Sequence, residues 1–166
     1  MTTLILVPSL AFVAALLDGA ICDLRAFRIP NRVPLLLAAS YALALAAGFD
    51  AASWPGHLGV GAAVFAVSVL LFSLGVWGGG DAKMLPAAVL WVGPGELPRF
   101  LLVMALVGGA LALLALAARR VPLGPEGELR DWGRRLAISG QVPYGVAIAC
   151  AGLDWGLANL LPRLMG

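Results

Sequence analysis

Charged side chains are scarce in this sequence. Lysine, arginine, aspartate and glutamate make up 12% of the 166 residues, about half the share of roughly 25% found in soluble domains. No stretch is polar enough and long enough to form a separate soluble domain, and the net charge of +2 gives no reason to expect a nucleic-acid partner. The scarcity of charge predicts an integral membrane protein with the lipid bilayer as its surroundings.

Cysteine and histidine are also nearly absent. The two cysteines, Cys22 and Cys150, lie beside or inside apolar segments without a CxxC pair, which favours small buried apolar residues over a disulfide or a metal site. The single histidine, His57, is predicted to lie alone in a loop, which argues against a histidine-based metal centre or proton relay. These residues imply no metal and no organic cofactor.

Apolar residues are abundant, at 61% of the chain, and the mean hydropathy is +0.97. A membrane span needs roughly 20 residues, so the chain is long enough for about six spans. The pattern predicts an all-α, polytopic membrane protein with one membrane-embedded domain over 1–166 and six transmembrane helices. The predicted spans are about 4–21, 34–48, 57–76, 81–92, 99–118 and 142–161. Most tryptophans flank these spans, as residues of an interfacial belt do.

The basic residues fall mainly on one side of the predicted topology. Nine of the eleven lie in the loops 22–33, 77–83 and 119–141, and only Arg99 and Arg163 fall opposite. The positive-inside rule places these three loops in the cytoplasm and both termini outside. The fourth segment is short, since twelve residues cover about 18 Å, and a re-entrant hairpin is the alternative. A hairpin would export the basic cluster at 119–141, so six spans are favoured.

A polar stretch at 78–83 stands between two uncharged stretches, 69–77 and 85–95. Ionisable groups near hydrocarbon are costly and usually functional, so Asp81 and Lys83 indicate a polar site cut into the membrane. The three preceding glycines allow backbone shapes that other residues resist, and they let another chain approach closely. The alternative is a flexible loop in which Asp81 caps a helix.

A second aspartate, Asp23, follows the first predicted span and falls on the same side as Asp81. Two close carboxylates do not easily ionise together, so they tend to share one proton. One member of such a pair activates a water while the other protonates the leaving group. Since helix N-termini favour anions and C-termini disfavour them, we hypothesise Asp81 as the resting base and Asp23 as the resting acid. Intramembrane acids also serve proton-coupled transporters and channels, so that class stays open.

Three separated motifs resemble the type IV prepilin peptidase family. The stretch 78–84 reads GGGDAKM and contains the G-x-G-D motif of membrane aspartic peptidases. The stretch 23–31 reads DLRAFRIPN, and the stretch 142–149, VPYGVAIA, opens the last predicted span. The motifs stand in the order expected for the family and cover nearly the whole chain. An intramembrane peptidase of the presenilin type shares G-x-G-D, but the loop arginines and the IPN sequence favour the prepilin type.

The resemblance implies that Asp23 and Asp81 are the catalytic dyad. It also implies that the partner is a membrane-inserted prepilin or pseudopilin precursor, whose short basic leader is cleaved at the cytoplasmic face of the bacterial inner membrane. Longer family members carry a cytoplasmic insertion with paired cysteines and also N-methylate the product. This chain lacks that insertion, so it is similar to the short, peptidase-only forms that serve Flp/Tad-type pili. A catalytically silent assembly component is a further alternative.

Residues around the motifs are candidates for supporting or substrate-binding roles. Lys83 either balances the charge of the dyad or contacts a substrate carbonyl, or it is a snorkelling interface lysine. Arg25 is a candidate for orienting the catalytic loop, whereas Arg28 and Arg32 are more simply positive-inside anchors. The other candidates are Gly78, Gly79, Gly80, Pro30, Asn31, Pro143, Tyr144 and Gly145.

Five further acidic residues have less defined roles. Asp18, about one helical turn before Asp23, is predicted to be a third buried acid that is structural or coupled to the dyad. Asp154 is predicted to face the outer side or to make a polar contact between helices. Three acids of the last polar loop are candidates for binding a basic leader, with solvated loop residues as the other interpretation. They are Glu126, Glu128 and Asp131.

Overall fold

The computed structural model describes residues 2–118 and 142–165. These residues form five α-helices and no strand, so the predicted all-α class is confirmed for the described part of the chain. The helices are α1 (Thr2–Ala26), α2 (Arg32–Ala46), α3 (Trp54–Ser73), α4 (Asp81–Ala118) and α5 (Tyr144–Met165).

Four of the described helices, α1, α3, α4 and α5, are long and apolar enough to cross a membrane. The remaining helix, α2, is apolar but has only 15 residues. Its length of about 22 Å is shorter than a hydrocarbon core of roughly 30 Å. The chain is therefore a multi-pass membrane protein by the length and composition of its helices. The number of six spans and the side on which the termini lie stay predictions.

The fourth and fifth predicted spans are two helices that meet at a sharp break, and α4 denotes the two together. Gly93 is non-helical (φ 71°, ψ 176°), so the fourth segment ends at 92 as predicted, whereas the fifth begins at 94 and not at 99. Glycine adopts this positive φ without the cost of a Cβ. A Cβ at Gly93 would also lie 2.5 Å from the ring of His57. The break therefore depends on glycine both for its backbone shape and for the close packing of α3.

Helix α4 lies at the centre of the bundle. Helices α2, α3 and α5 pack against it, and α1 packs between α2 and α5. Trp91 of α4 is fully buried among aromatic rings, and its indole nitrogen donates to the Leu37 carbonyl and to the Ser40 hydroxyl at 3.2 Å. The prediction of an interfacial belt is therefore wrong for Trp91. It is also wrong for Trp155, which is 4% exposed and packs edge-on against Trp91.

His57 does not lie in a loop as predicted, because α3 begins at Trp54 and includes it. Its side chain is buried, with Nδ1 2.8 Å from the Leu90 carbonyl oxygen and the ring stacked on Tyr41 at a centroid distance of 5.8 Å. Asp50 Oδ2 lies 3.9 Å from His57 Nε2, and Asp50 Oδ1 forms an ion pair with Arg163 at 3.2 Å. These contacts fix the start of α3 against α2, α4 and α5.

Two alternatives were predicted for Asp154, the outer side or a polar contact between helices, and the structure shows the polar contact. Arg99 of α4 donates from Nε and Nη2 to the two carboxylate oxygens of Asp154 in α5, at 3.1 and 3.2 Å. This paired geometry joins the second part of α4 to α5.

Candidate active site

Asp23 lies within helix α1 and not after it, because the helix extends to Ala26, beyond the predicted end at 21. Only 5% of the residue is exposed. The residue that follows the helix is Phe27, whose amide donates to the Asp23 carbonyl at 2.9 Å and whose φ is 50°. A bulky residue in this left-handed region stores about 1–3 kcal/mol of strain, which is often found beside functional sites. Phe27 lines the site and was missed from the sequence, because no pattern predicts a left-handed phenylalanine.

Asp81 is the first residue of α4. The turn before it is closed by two hydrogen bonds, from the Ala82 amide to the Gly78 carbonyl at 3.0 Å and from the Met84 amide to the Gly80 carbonyl at 2.9 Å. Among the described residues, the buried Oδ1 of Asp81 has no hydrogen-bond partner. A buried acceptor without a partner is costly, so this oxygen is positioned to accept from a water or a substrate group.

The two predicted catalytic aspartates meet at one site. Asp23 from α1 and Asp81 from α4 both line two neighbouring cavities of about 450 Å³ each. Their carboxylates are close enough to interact electrostatically. Phe27, Gly78 and the aspartates line both cavities, so the two cavities adjoin at the end of α1 and the start of α4. The predicted convergence of the two carboxylates is thus seen in the structure.

Gly145 connects the start of α5 to this site. Its backbone N–H donates to Asp23 Oδ2 at 2.7 Å. A Cβ at this position would lie 2.8 Å from the same oxygen and 2.8 Å from Ile29 Cδ1, so the close approach requires glycine. Pro143 is fully buried just before it, and Tyr144 lines one of the two cavities. The stretch therefore holds the carboxylate of Asp23 in a fixed orientation.

The helix dipoles suggested that Asp81 is the resting base and Asp23 the resting acid. In the described part of the chain, the hydrogen-bond donor to the pair is the Gly145 amide, and it contacts Asp23. Hydrogen bonding therefore lends no support to that assignment, and the position of the shared proton stays a prediction.

The three motif glycines do not adopt the unusual backbone shapes that we expected. Glycines with positive φ are found at Gly48, Gly75 and Gly93, and none of the motif glycines is among them. Close approach explains Gly80 instead, because a Cβ there would lie 2.9 Å from Ile29 Cβ and 3.2 Å from Ile29 N. The motif thus packs the start of α4 directly against the turn between α1 and α2.

Among the described residues, Lys83 contacts Asn31 and not a carboxylate. Its Nζ donates to Asn31 Oδ1 at 3.0 Å, and both residues line the cavity that holds the aspartates. Pro30 contributes to the turn between α1 and α2, since its carbonyl accepts a hydrogen bond from the Val33 amide at 3.0 Å. The hydrogen bond from Lys83 joins the start of α4 to the start of α2 at the edge of the site.

The arginines of the first predicted loop separate into two groups. Arg28 lines both a cavity that contains the aspartates and a second cavity, whereas Arg25 and Arg32 line the second cavity. Arg32 forms an ion pair with Asp18, with Nε 2.7 Å from Oδ2. The Asp18 side chain is one-third exposed, so the prediction of a third buried acid is wrong and the residue joins α1 to α2. Glu126, Glu128, Asp131 and the basic cluster of 119–141 lie outside the described residues.

The described residues contain no group of three histidine, cysteine, aspartate or glutamate side chains that could hold a metal ion. The chemistry available at the site is that of two carboxylates, a backbone N–H on one of them and an acceptor without a partner on the other. Two aspartates that converge from different helices are the arrangement that aspartic hydrolases use, although intramembrane acids also serve proton-coupled transporters.

The family comparison agrees with this class. The model of the type IV leader peptidase family matches residues 10–113, which is more than half of the chain and includes both aspartates. The chain belongs to this family and is therefore a peptidase. No curated protein and no solved structure matches the chain.

Proposed function

We propose that this protein is an aspartic endopeptidase that cleaves the leader peptide of type IV or Flp-type prepilins at the cytoplasmic face of the bacterial inner membrane. The observation that carries the proposal is that Asp23 and Asp81 line the same two cavities. Membership of the type IV leader peptidase family supports the reaction class. The apolar helices around the site support a substrate that is itself inserted in the membrane.

In the proposed mechanism, one carboxylate removes a proton from a water as the water adds to the scissile carbonyl. The other carboxylate, which carries the shared proton, gives it to the leaving amine as the tetrahedral intermediate collapses. The free Oδ1 of Asp81 is available to accept a hydrogen bond from the water. The Gly145 amide keeps Asp23 oriented through the reaction.

The proposed topology has six spans, with the two parts of α4 as separate crossings and both termini outside. The end of α1, the turn that follows it and the start of α4 then lie on the cytoplasmic side, which is where a precursor exposes its leader. The arginines of the loop 22–33 and the cluster at 119–141 support this orientation through the positive-inside rule.

Co-expression with a panel of membrane-inserted prepilins, including Flp-type precursors, tests the substrate class. We expect one precursor to shift in mobility and its new N-terminus, measured by mass spectrometry, to begin directly after the leader. If the inserted protein processes no precursor of the panel and instead drives proton-coupled flux in liposomes, the proposal is overturned in favour of a transporter or channel.

A further inference from the structure

An apolar groove lies between α2 and α3, with α4 as its floor. It has a volume of about 600 Å³. Helices α2 and α3 both pack against α4 but make at most marginal contact with each other, so the groove is open to the side. Leu35 of α2 is 67% exposed and Phe65 of α3 is 50% exposed along its walls. Exposed apolar side chains are ordinary on a membrane protein, so exposure alone does not identify a site.

The connection of the groove to the candidate active site distinguishes it. Asn31 and Lys83 line both the groove and a cavity that contains Asp23 and Asp81. From this end the groove continues along α4 as far as Leu90. The separation of seven positions between Lys83 and Leu90 corresponds to about 10 Å, or two helical turns. An occupant of the groove therefore has one end at the carboxylates and the other inside the bundle's apolar region.

The groove has the shape and chemistry to receive a helix. Small residues, Ala62 on α3 and Ala87 on α4, line it, and small side chains allow helices in membranes to pack closely. Its only charged lining residue, within the described chain, is Lys83 at the end nearest the active site. A helix that enters from the side can keep its backbone hydrogen bonds in the apolar part, and it must lose them only where the groove meets the polar cavity.

We infer that this groove is the docking site for the apolar transmembrane helix of the substrate, and that it holds the first two turns after the scissile bond. The inference rests on the proposed function and adds the route by which the substrate reaches the dyad. The helix approaches laterally between α2 and α3, rests on α4, and passes its N-terminal end by Asn31 and Lys83 into the cavity of the aspartates.

Site-specific photo-cross-linking tests the contact without requiring cleavage. A photoreactive residue is placed at Ala62, which lines the groove, or at Ala63, which is the next residue of α3 and does not line it. Both are combined with Asp81→Asn and a membrane-inserted precursor. We expect the cross-link from position 62 and not from position 63, and it should map to the first two turns of the precursor's apolar helix. Equal cross-linking from both positions, or cross-links from position 62 to lipid alone, would overturn the inference.

Kinetics with a second pair of variants separates docking from catalysis. Ala62→Trp fills the groove and should slow cleavage of the full precursor roughly tenfold or more, because a bulky side chain there clashes with the docked helix. Ala63→Trp is the matched control and should leave the rate unchanged. Both variants should cleave a short peptide that spans the scissile bond but lacks the apolar helix. If Ala62→Trp cleaves the full precursor at the wild-type rate, the docking role of the groove is contradicted but the proposed function is not. If the wild type cleaves neither substrate, the proposed function itself is contradicted.

Discussion

Replacing Gly145 with alanine tests whether Asp23 must be held by the start of α5. The added Cβ would lie 2.8 Å from Asp23 Oδ2, 3.1 Å from Asp23 Cβ and 2.8 Å from Ile29 Cδ1. These distances are too short for carbon contacts, so either Asp23 or the start of α5 has to move. Either movement lengthens the 2.7 Å hydrogen bond from the Gly145 amide to the carboxylate.

The size of the effect follows from the hydrogen bond. A hydrogen bond to a charged group contributes about 1.5–3 kcal/mol, and each 1.36 kcal/mol changes a rate tenfold. The Gly145→Ala variant should therefore cleave a precursor roughly ten to a hundred times more slowly. Overpacking costs about 1–3 kcal/mol of stability, partly offset by the higher helix propensity of alanine, worth about 1 kcal/mol. The variant should thus stay folded while it loses rate.

The assay is the initial rate of precursor cleavage by purified enzyme in lipid vesicles, with a thermal melt of each variant. Gly152→Ala is the matched control, because its Cβ would lie 2.6 Å from Leu16 Cδ1 and so overpacks the same α1–α5 contact away from the site. Leucine can move aside, so this control should keep its rate. Equal loss of rate in both variants, or full activity of Gly145→Ala, would refute the role given to Gly145.

Three further substitutions follow from the contacts of single residues. Gly80→Ala should lower the rate of cleavage strongly, because the new Cβ would contact the backbone of Ile29. Gly79→Ala should keep the rate, because its Cβ would contact only the exposed ring of Phe72. Similar rates for the two variants would contradict this. Lys83→Met removes one hydrogen bond to Asn31 and should lower stability by about 1 kcal/mol while cleavage persists; complete loss of cleavage would place Lys83 at the reacting atoms. Gly93→Ala should lower the free energy of unfolding by about 2–4 kcal/mol through its positive φ and its clash with His57; an unchanged melting temperature would contradict this.

The class of the protein and the position of both aspartates could be predicted from the sequence, because both depend on local information. Low charge and long apolar segments are read directly from composition, and the G-x-G-D motif marks the start of α4. The convergence of Asp23 and Asp81 required only that the end of α1 and the start of α4 lie at the same end of the bundle.

The rest of the site depends on contacts between distant parts of the chain. Gly145 donates to Asp23 across 122 residues, and no local pattern reveals a backbone N–H at that distance. The same limit applies to Gly80, whose packing against Ile29 becomes visible only when the turn after α1 is placed.

Three errors in the fold have related physical causes. Pro55 and Gly56 resemble loop residues, but proline is also favoured at the first turn of a helix, so His57 was assigned to a loop. Tryptophan serves both interfacial belts and aromatic cores, and composition alone does not distinguish these roles for Trp91. The span bounds left a connection at 93–98, whereas only Gly93 departs from helical geometry there.

We propose above all that Asp23 and Asp81 together cleave a peptide bond. The most direct measurement is precursor cleavage in lipid vesicles by the purified wild type, Asp23→Asn and Asp81→Asn, each shown to be folded by its melting temperature. We expect a product from the wild type alone, with both variants folded and inactive. Cleavage by either folded variant would contradict it.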